Sequence, residues 1–266
     1  MTRRLLLSTI LLICSLSAKP VGLILEIDGV LFDPSIQNIL KLSPIPGIAQ
    51  LVEKQTSTYI TELFSTLHKI KKYPRLINES YYANHKQPTP GLLQVYLLGR
   101  ISSEKATRIA SKQIEKNNGG LFDSLKRTLL LFAIQTMFDP AKEIAAVGMI
   151  DEMKKLLIEL KRTNPGFKLI AFSNKNNAST HLIWERFKFD QLFDLFLTSE
   201  GMGALKPSEE SFDALCSALQ DDPHNYVYLD IPQVCVKAAA SRGFIAFAYE
   251  NAHNFRERLR ELGVSI

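Results

Sequence analysis

Six residues, each at or near the end of an apolar run, could do chemistry together. They are Glu26 and Asp28 in Ile24-Leu25-Glu26-Ile27-Asp28-Gly29, Ser173 and Asn174 after Lys168 to Phe172, Lys206 in Gly203-Ala204-Leu205-Lys206-Pro207, and Asp230 closing Tyr226 to Asp230. Carboxylates can hold Mg2+, attack phosphorus or shuttle a proton, a lysine neutralises equatorial oxygens, and a hydroxyl donates a hydrogen bond, so the set suits phosphoryl transfer. None is diagnostic singly. Lys206 alone reads as a solvated lysine at a helix start, and Ser173-Asn174 as a turn that caps the next helix, a role compatible with ligand binding. Glu26 alone reads as a strand-end carboxylate facing solvent. The histidines His68, His85, His181, His224 and His253 show no metal spacing and read as surface or packing residues.

To bring these six together, the chain must set strand ends side by side. Gly22 to Val30, Lys168 to Ser173, Tyr226 to Asp230 and Phe244 to Ala248 are continuous apolar runs of the kind buried on both faces of a parallel sheet. Between them lie helical patterns of crossover length. Met153, Leu156, Leu157 and Leu160 form one apolar stripe, and further helices are expected over Ser208 to Leu219, Gln233 to Ser241 and His253 to Leu262. Trp184, with Leu182, Ile183 and Phe187, reads as a helix packing on the sheet. The alternation predicts a doubly wound α/β sheet whose strand ends meet at one crevice.

Residues 34–147 break the alternation. They show helical stretches over Ile48 to Lys72, Gly91 to Leu98, Ser103 to Lys116 and Leu121 to Met137, with breaks at Pro44 and Pro46, Asn84 to Gly91, and Asn117 to Gly120. An all-helical insert after the first strand follows, placed where it could cover the crevice, with Tyr81 and Tyr82 as candidates to line it or to pack within the insert. The expected division is a signal peptide over 1–18, an α/β core from 19–33 and 148–266, and a helical cap over 34–147.

The order and spacing of these motifs resemble those of the haloacid dehalogenase superfamily, whose members are mostly phosphatases. Ile24 to Asp33 looks like the first motif, Leu169 to Asn174 the second, Lys206-Pro207 the third, and Tyr226 to Ala239 the fourth with its Ala-rich helix. The resemblance implies a Rossmann-like core with a helical cap and a Mg2+ cofactor. It makes Glu26 the nucleophile or a metal ligand, Asp28 the general acid and base and a metal ligand, Ser173, Asn174 and Lys206 the phosphate holders, and Asp230 the principal metal ligand. Two departures stand out. The family's first acid is an aspartate, whereas here it is Glu26, and Ile231, Val234 and Cys235 occupy positions where a second acid often follows Asp230. A displacement of about 1 Å can lower a rate by about 10²-fold, so both departures point to altered or reduced catalysis.

Composition narrows the remaining choices. With 46% hydrophobic and 22% charged residues over 266, the chain has material for a folded core, while 13 Gly, 12 Pro and 3 Cys exclude collagen-like and disulfide-scaffold classes. Arg3 and Arg4, the apolar run Leu5 to Leu16, and Ser15, Ser17 and Ala18 have the form of an export signal, though the segment also suits a surface anchor or an N-terminal helix. Without it the charge is 30 − 27 = +3, too mild for a nucleic-acid footprint, and no run is long enough to span a bilayer. Cys216 and Cys235 then remain; an oxidising compartment would permit a disulfide between them, and the alternative is two separate buried thiols. Two functions follow as expectations: an exported Mg2+-dependent phosphatase of small phosphomonoesters, or a catalytically degenerate relative serving in binding or structure. A dehalogenase has nothing specific in its favour.

Overall fold

The computed structural model describes residues 19–33, 91–115 and 121–266. In chain order the elements are β1 (Gly22–Leu25), β2 (Phe32–Asp33), α1 (Leu92–Leu97), α2 (Ser103–Glu115), α3 (Leu121–Phe138), α4 (Pro140–Ala146), β3 (Gly148–Met149) and α5 (Asp151–Thr163). They continue with β4 (Lys168–Ser173), α6 (Asn177–Phe187), β5 (Leu195–Thr198), α7 (Ser199–Met202), α8 (Glu209–Leu219), β6 (Tyr226–Asp230), α9 (Gln233–Ser241), β7 (Ile245–Ala248) and α10 (Ala252–Glu261).

Five parallel strands form the central sheet in the order β5-β4-β1-β6-β7. From β1 the chain winds outward through β4 to β5, then returns to the other edge of β1 for β6 and β7. The reversal falls at β1, so its carboxyl end opens onto the crevice that a doubly wound sheet offers a ligand. Because strand side chains alternate between faces, each strand feeds two cores. Leu23, Leu25, Leu169, Ala171, Val227 and Leu229 pack with α5, α6 and α10. Ile24, Ile170, Phe172, Tyr226 and Tyr228 pack with α8 and α9 on the other side. Gly22 has a steric reason in this sheet: a Cβ there would lie 2.8 Å from the Tyr226 ring and 2.9 Å from the Lys168 carbonyl oxygen.

A two-stranded antiparallel ribbon, Phe32 opposite Met149 and Asp33 opposite Gly148, brings together the points where the chain leaves and rejoins the sheet. Helices α1 to α3 share an apolar cluster of their own, built on Leu92, Val95, Tyr96, Ala106, Ala110, Ile114, Leu130, Ile134 and Phe138. In it the Tyr96 and Phe138 rings meet edge to face at 5.1 Å.

Several expectations need adjustment. The first strand ends at Leu25 rather than Val30, because Ile27 accepts backbone hydrogen bonds from Leu31 and Phe32 and the chain turns through Gly29 at φ 78°. Strand β7 begins at Ile245 rather than Phe244, α8 at Glu209 with Ser208 as its cap, and α10 lies one residue earlier at both ends than expected. Strand β5, the ribbon strands β2 and β3, and helices α4 and α7 were not anticipated. Cys216 and Cys235 are free thiols, but only Cys235 is fully buried, since α8 leaves Cys216 at the rim of its cluster. The export segment, the helix expected over Ile48 to Lys72, Tyr81, Tyr82 and the breaks at Pro44, Pro46, Asn84 to Pro90 and 117–120 lie outside the described residues. Among the described residues, no helix is long and apolar enough to cross a membrane.

Leu157 tests the helix-on-sheet packing, since it is fully buried where α5 meets the sheet. Leu157→Ala is expected to cost about 3 kcal/mol and lower the thermal midpoint by roughly 6–12 °C. A loss below about 1 kcal/mol would mean that α5 is not anchored this way.

Candidate functional site

The site is built at the carboxyl end of β1. Beyond Leu25 the backbone N–H of Glu26 still bonds to the Leu229 carbonyl at 3.0 Å, so Glu26 is held at the sheet before the chain turns. The turn depends on Gly29, whose φ of 78° a side chain rarely adopts and where a Cβ would lie 2.3 Å from Ile231 Cδ1. Asp28 sits on that turn and faces the crevice.

Two ion networks result. In the first, Lys206 Nζ lies 2.7 Å from both Glu26 Oε2 and Asp230 Oδ2, with only 1% of the lysine side chain exposed. The faces of Phe172 and Tyr228 flank the ammonium, 5.1 and 6.0 Å from their centroids. Asp230 Oδ2 also accepts from the Tyr228 hydroxyl at 2.7 Å, and Oδ1 from the Ile231 N–H at 2.8 Å. The other oxygen of Glu26, Oε1, accepts from Ile27 N–H at 2.7 Å, Asp28 N–H at 3.3 Å and the Ser173 hydroxyl. Burial alone would raise the pKa of Glu26, but the Lys206 charge and the bonds from Lys206, Ser173 and Ile27 outweigh it and hold the carboxyl below the usual range. Burial alone would lower Lys206; Glu26, Tyr228 and Asp230 more than offset this and keep it a cation.

In the second network, Lys175 Nζ bridges Asp28 Oδ2 at 3.0 Å and Glu143 Oε1 at 2.5 Å. Glu143 comes from α4, so this pair ties the helical segment to the sheet, and its second oxygen accepts from the Ser179 hydroxyl at 2.6 Å. Asp28 keeps 38% of its side chain exposed. Burial pushes its pKa up, Lys175 pulls it down, and Glu26 and Glu143 push it up again, leaving it at about 6.

Asp28, Lys175 and Glu143 line a cavity of about 300 Å3 between the strand ends and the helices. Its remaining wall is largely apolar, with Leu93, Leu97, Met137 and Val147, and the buried Tyr96 hydroxyl in it has no hydrogen-bond partner among the described residues. Glu26, Ser173 and Lys206 do not line this cavity, and Ser173 is fully buried.

The structure thus joins Glu26, Ser173, Lys206 and Asp230 in one network and sets Asp28 beside it. Asn174, expected to hold substrate, lines the cavity but spends its amide on the Lys206 backbone: Oδ1 accepts from Lys206 N–H at 2.8 Å and Nδ2 donates to its carbonyl at 3.1 Å. It positions Lys206. At the positions after Asp230 where the resemblance implies a second acid, Ile231 and Val234 are exposed apolar side chains. Sequence reading missed Lys175 and Glu143. Lys175 directly follows Ser173-Asn174, which is a usable signal, while nothing local marks Glu143. His181, His224 and His253 are exposed, and His68 and His85 lie outside the described residues.

Among the described residues no three His, Cys, Asp or Glu side chains gather into a metal-binding group. Mg2+ needs only one or two carboxylates, with water and phosphate completing its shell. The donor set fits it in type and charge. The linked carboxylates of Glu26, Asp28, Glu143 and Asp230 against Lys175 and Lys206 leave 4 − 2 = 2 negative charges when all are ionised, and all the donors are hard oxygens.

A doubly wound sheet with acids and lysines at its central strand ends, beneath a helical segment, defines an α/β protein with a charged crevice at the switch point of its sheet. A family model for haloacid dehalogenase-like hydrolases matches residues 23–230, and the chain belongs to that family. Solved structures share the fold. A predicted HAD-like family hydrolase from Porphyromonas gingivalis is 17% identical with a TM-score of 0.58, covering 94% of this chain and 100% of its own. A HAD family enzyme from Bacteroides thetaiotaomicron, in complex with magnesium and inorganic phosphate, is 15% identical with a TM-score of 0.53, covering 88% and 98%. L-2-haloacid dehalogenase from Xanthobacter autotrophicus is 14% identical with a TM-score of 0.50, covering 85% and 75%. A search of curated proteins found no match.

Lys206 is the test of the first network. Lys206→Met strands two buried carboxylates and is expected to cost about 3–5 kcal/mol in urea unfolding. Adding Glu26→Gln to Lys206→Met should recover about 1–3 kcal/mol through coupling. Strict additivity of the two substitutions would mean that the pair is not energetically linked.

Proposed function

We propose that the chain is a Mg2+-dependent phosphohydrolase of small phosphomonoesters. The observation that carries this reading is Asp28: a partly exposed carboxyl on the cavity floor, beside a set of donors suited to a phosphoryl group. In the net reaction the ester P–O bond breaks and a P–O bond to the oxygen of water replaces it. One proton of that water ends on the leaving alkoxide and the other on phosphate or solvent. Asp28 gives its proton to the leaving oxygen and takes one back from water, with Lys175 holding its carboxylate in place. Ser173, Lys206 and the N–H groups of Ile27 and Asp28 bind the phosphoryl oxygens. Glu26 stands at the position of the first acid, as nucleophile or metal ligand. Glu26, Asp28 and Asp230 would hold Mg2+, which when bound neutralises charge on the phosphoryl group. The export-signal pattern of residues 1–18 supports an exported compartment as part of this reading.

A second reading, a family member that binds without turnover, is favoured by one feature: the donors suited to phosphate already meet the carboxylate of Glu26. Phosphate release by the full chain from a panel of small phosphomonoesters, with and without Mg2+, separates the two. The hydrolase reading expects Mg2+-dependent turnover that falls by about 10²–10⁴-fold in Asp28→Ala. No turnover in the native chain, with activity gained in Glu26→Asp, would instead establish the binding reading.

A further inference from the structure

The donors around Glu26 are arranged for an oxyanion. One carboxylate oxygen takes two successive backbone N–H groups and a buried hydroxyl, and the other takes a buried ammonium at 2.7 Å. Two adjacent peptide N–H groups, a hydroxyl and a lysine are what a phosphoryl group needs, and a carboxylate satisfies the same donors. The side chain of Glu26 bends back onto the peptide N–H groups that directly follow it. Aspartate is shorter by one C–C bond of about 1.5 Å and holds its oxygens nearer the strand end. The cavity reaches Asp28 and Lys175 but stops short of Ser173 and Lys206. Only 12% of the Glu26 side chain is exposed.

We propose that Glu26 is a built-in occupant of the phosphate cradle, so that a phosphoryl group enters only when this carboxylate swings out. The inference rests on the phosphohydrolase reading for the identity of the cradle, and it concerns control of entry rather than the chemical step. An anion must compete with a tethered carboxylate, and its apparent affinity falls by the fraction of molecules whose cradle is open. Removing the occupant leaves Lys206 its contact with Asp230 at 2.7 Å, so the ammonium keeps a partner.

The experiment is calorimetric titration of inorganic phosphate into the full chain and into Glu26→Ala and Glu26→Asp, with and without Mg2+, with thermal unfolding as a check on folding. Both variants are expected to bind phosphate about tenfold or more tightly than the native chain, as follows where fewer than about one molecule in ten has an open cradle. Adding Ser173→Ala to Glu26→Ala should abolish the gain, locating it at the cradle. Equal affinity in all three chains would overturn the proposal by showing that Glu26 does not compete for the cradle, and tighter binding by the native one would overturn it by making Glu26 favourable to the bound anion. If Glu26→Ala does not fold, Glu26→Asp carries the test. Should neither fold, the native chain decides: no shift of its unfolding midpoint in millimolar phosphate is expected, and a clear rise overturns the inference. Turnover is read separately, so loss of the hydrolase reading leaves phosphate affinity as an independent result.

Discussion

A lysine ammonium with 1% of its side chain exposed, 2.7 Å from each of two carboxylates, is the constraint on which the rest of the site depends. A buried charge is tolerated only where its partners are close and their remaining hydrogen-bonding capacity is met. Lys206 meets that condition by fixing three separate parts of the chain: the end of β1 through Glu26, the end of β6 through Asp230, and its own loop through Asn174. Phe172 from β4 and Tyr228 from β6, the two strands that flank β1, close over it, and the Tyr228 hydroxyl also bonds to Asp230. Any one of these groups moved by an ångström would leave a buried charge or donor unmet. The strand order that puts β1 between β4 and β6 is therefore the order that makes the ion triad possible.

Lys175 does a different job with the same chemistry. It is nearly as buried as Lys206, but its two carboxylates come from different layers, Asp28 from the turn after β1 and Glu143 from α4. The helical segment is thereby tied to the strand ends at the point where the cavity opens. The Ser199 hydroxyl adds a second tie by donating to the Leu97 carbonyl at 2.7 Å. The result is a cavity with a charged floor and a mostly apolar wall, so a bound molecule would meet polar groups at one end and hydrocarbon at the other.

Much of this was legible in sequence because buried parallel strands leave an unmistakable local trace. Lys168 to Ser173 and Tyr226 to Asp230 match β4 and β6 residue for residue, and the Met153, Leu156, Leu157, Leu160 stripe is the buried face of α5. Strand β5 escaped because Leu195-Phe196-Leu197 lies at the sheet edge, is only half-buried, and belongs to a strand of four residues, too short to show a period. The end of β1 was overrun because Ile27, Val30 and Leu31 are as apolar as a strand. They are buried in the turn instead, and the turn is set by a single glycine. In the site, the six polar residues were readable from spacing, but which oxygen meets which donor is a tertiary fact. Glu143 lies 32 residues from Lys175, and no local pattern could pair them.

The substitution of glutamate for aspartate at position 26 looks, on sequence, like damage to a nucleophile. In the fold it also answers an electrostatic demand. A cradle made of Lys206, the Ser173 hydroxyl and two peptide N–H groups is costly when vacant, since each unmet buried donor carries a desolvation penalty of about 1–3 kcal/mol and a charged one more. A shorter side chain that did not reach these donors would leave that demand to an anionic ligand or water, whereas Glu26 meets it from within the chain. Stability and availability of the cradle are then opposed: the contacts that hold the first acid below the usual carboxylate range are the same ones a phosphoryl group would have to displace. On the proposed reading, reactivity at this position would be governed by how readily four hydrogen-bonding contacts exchange, not by the presence of a carboxylate alone.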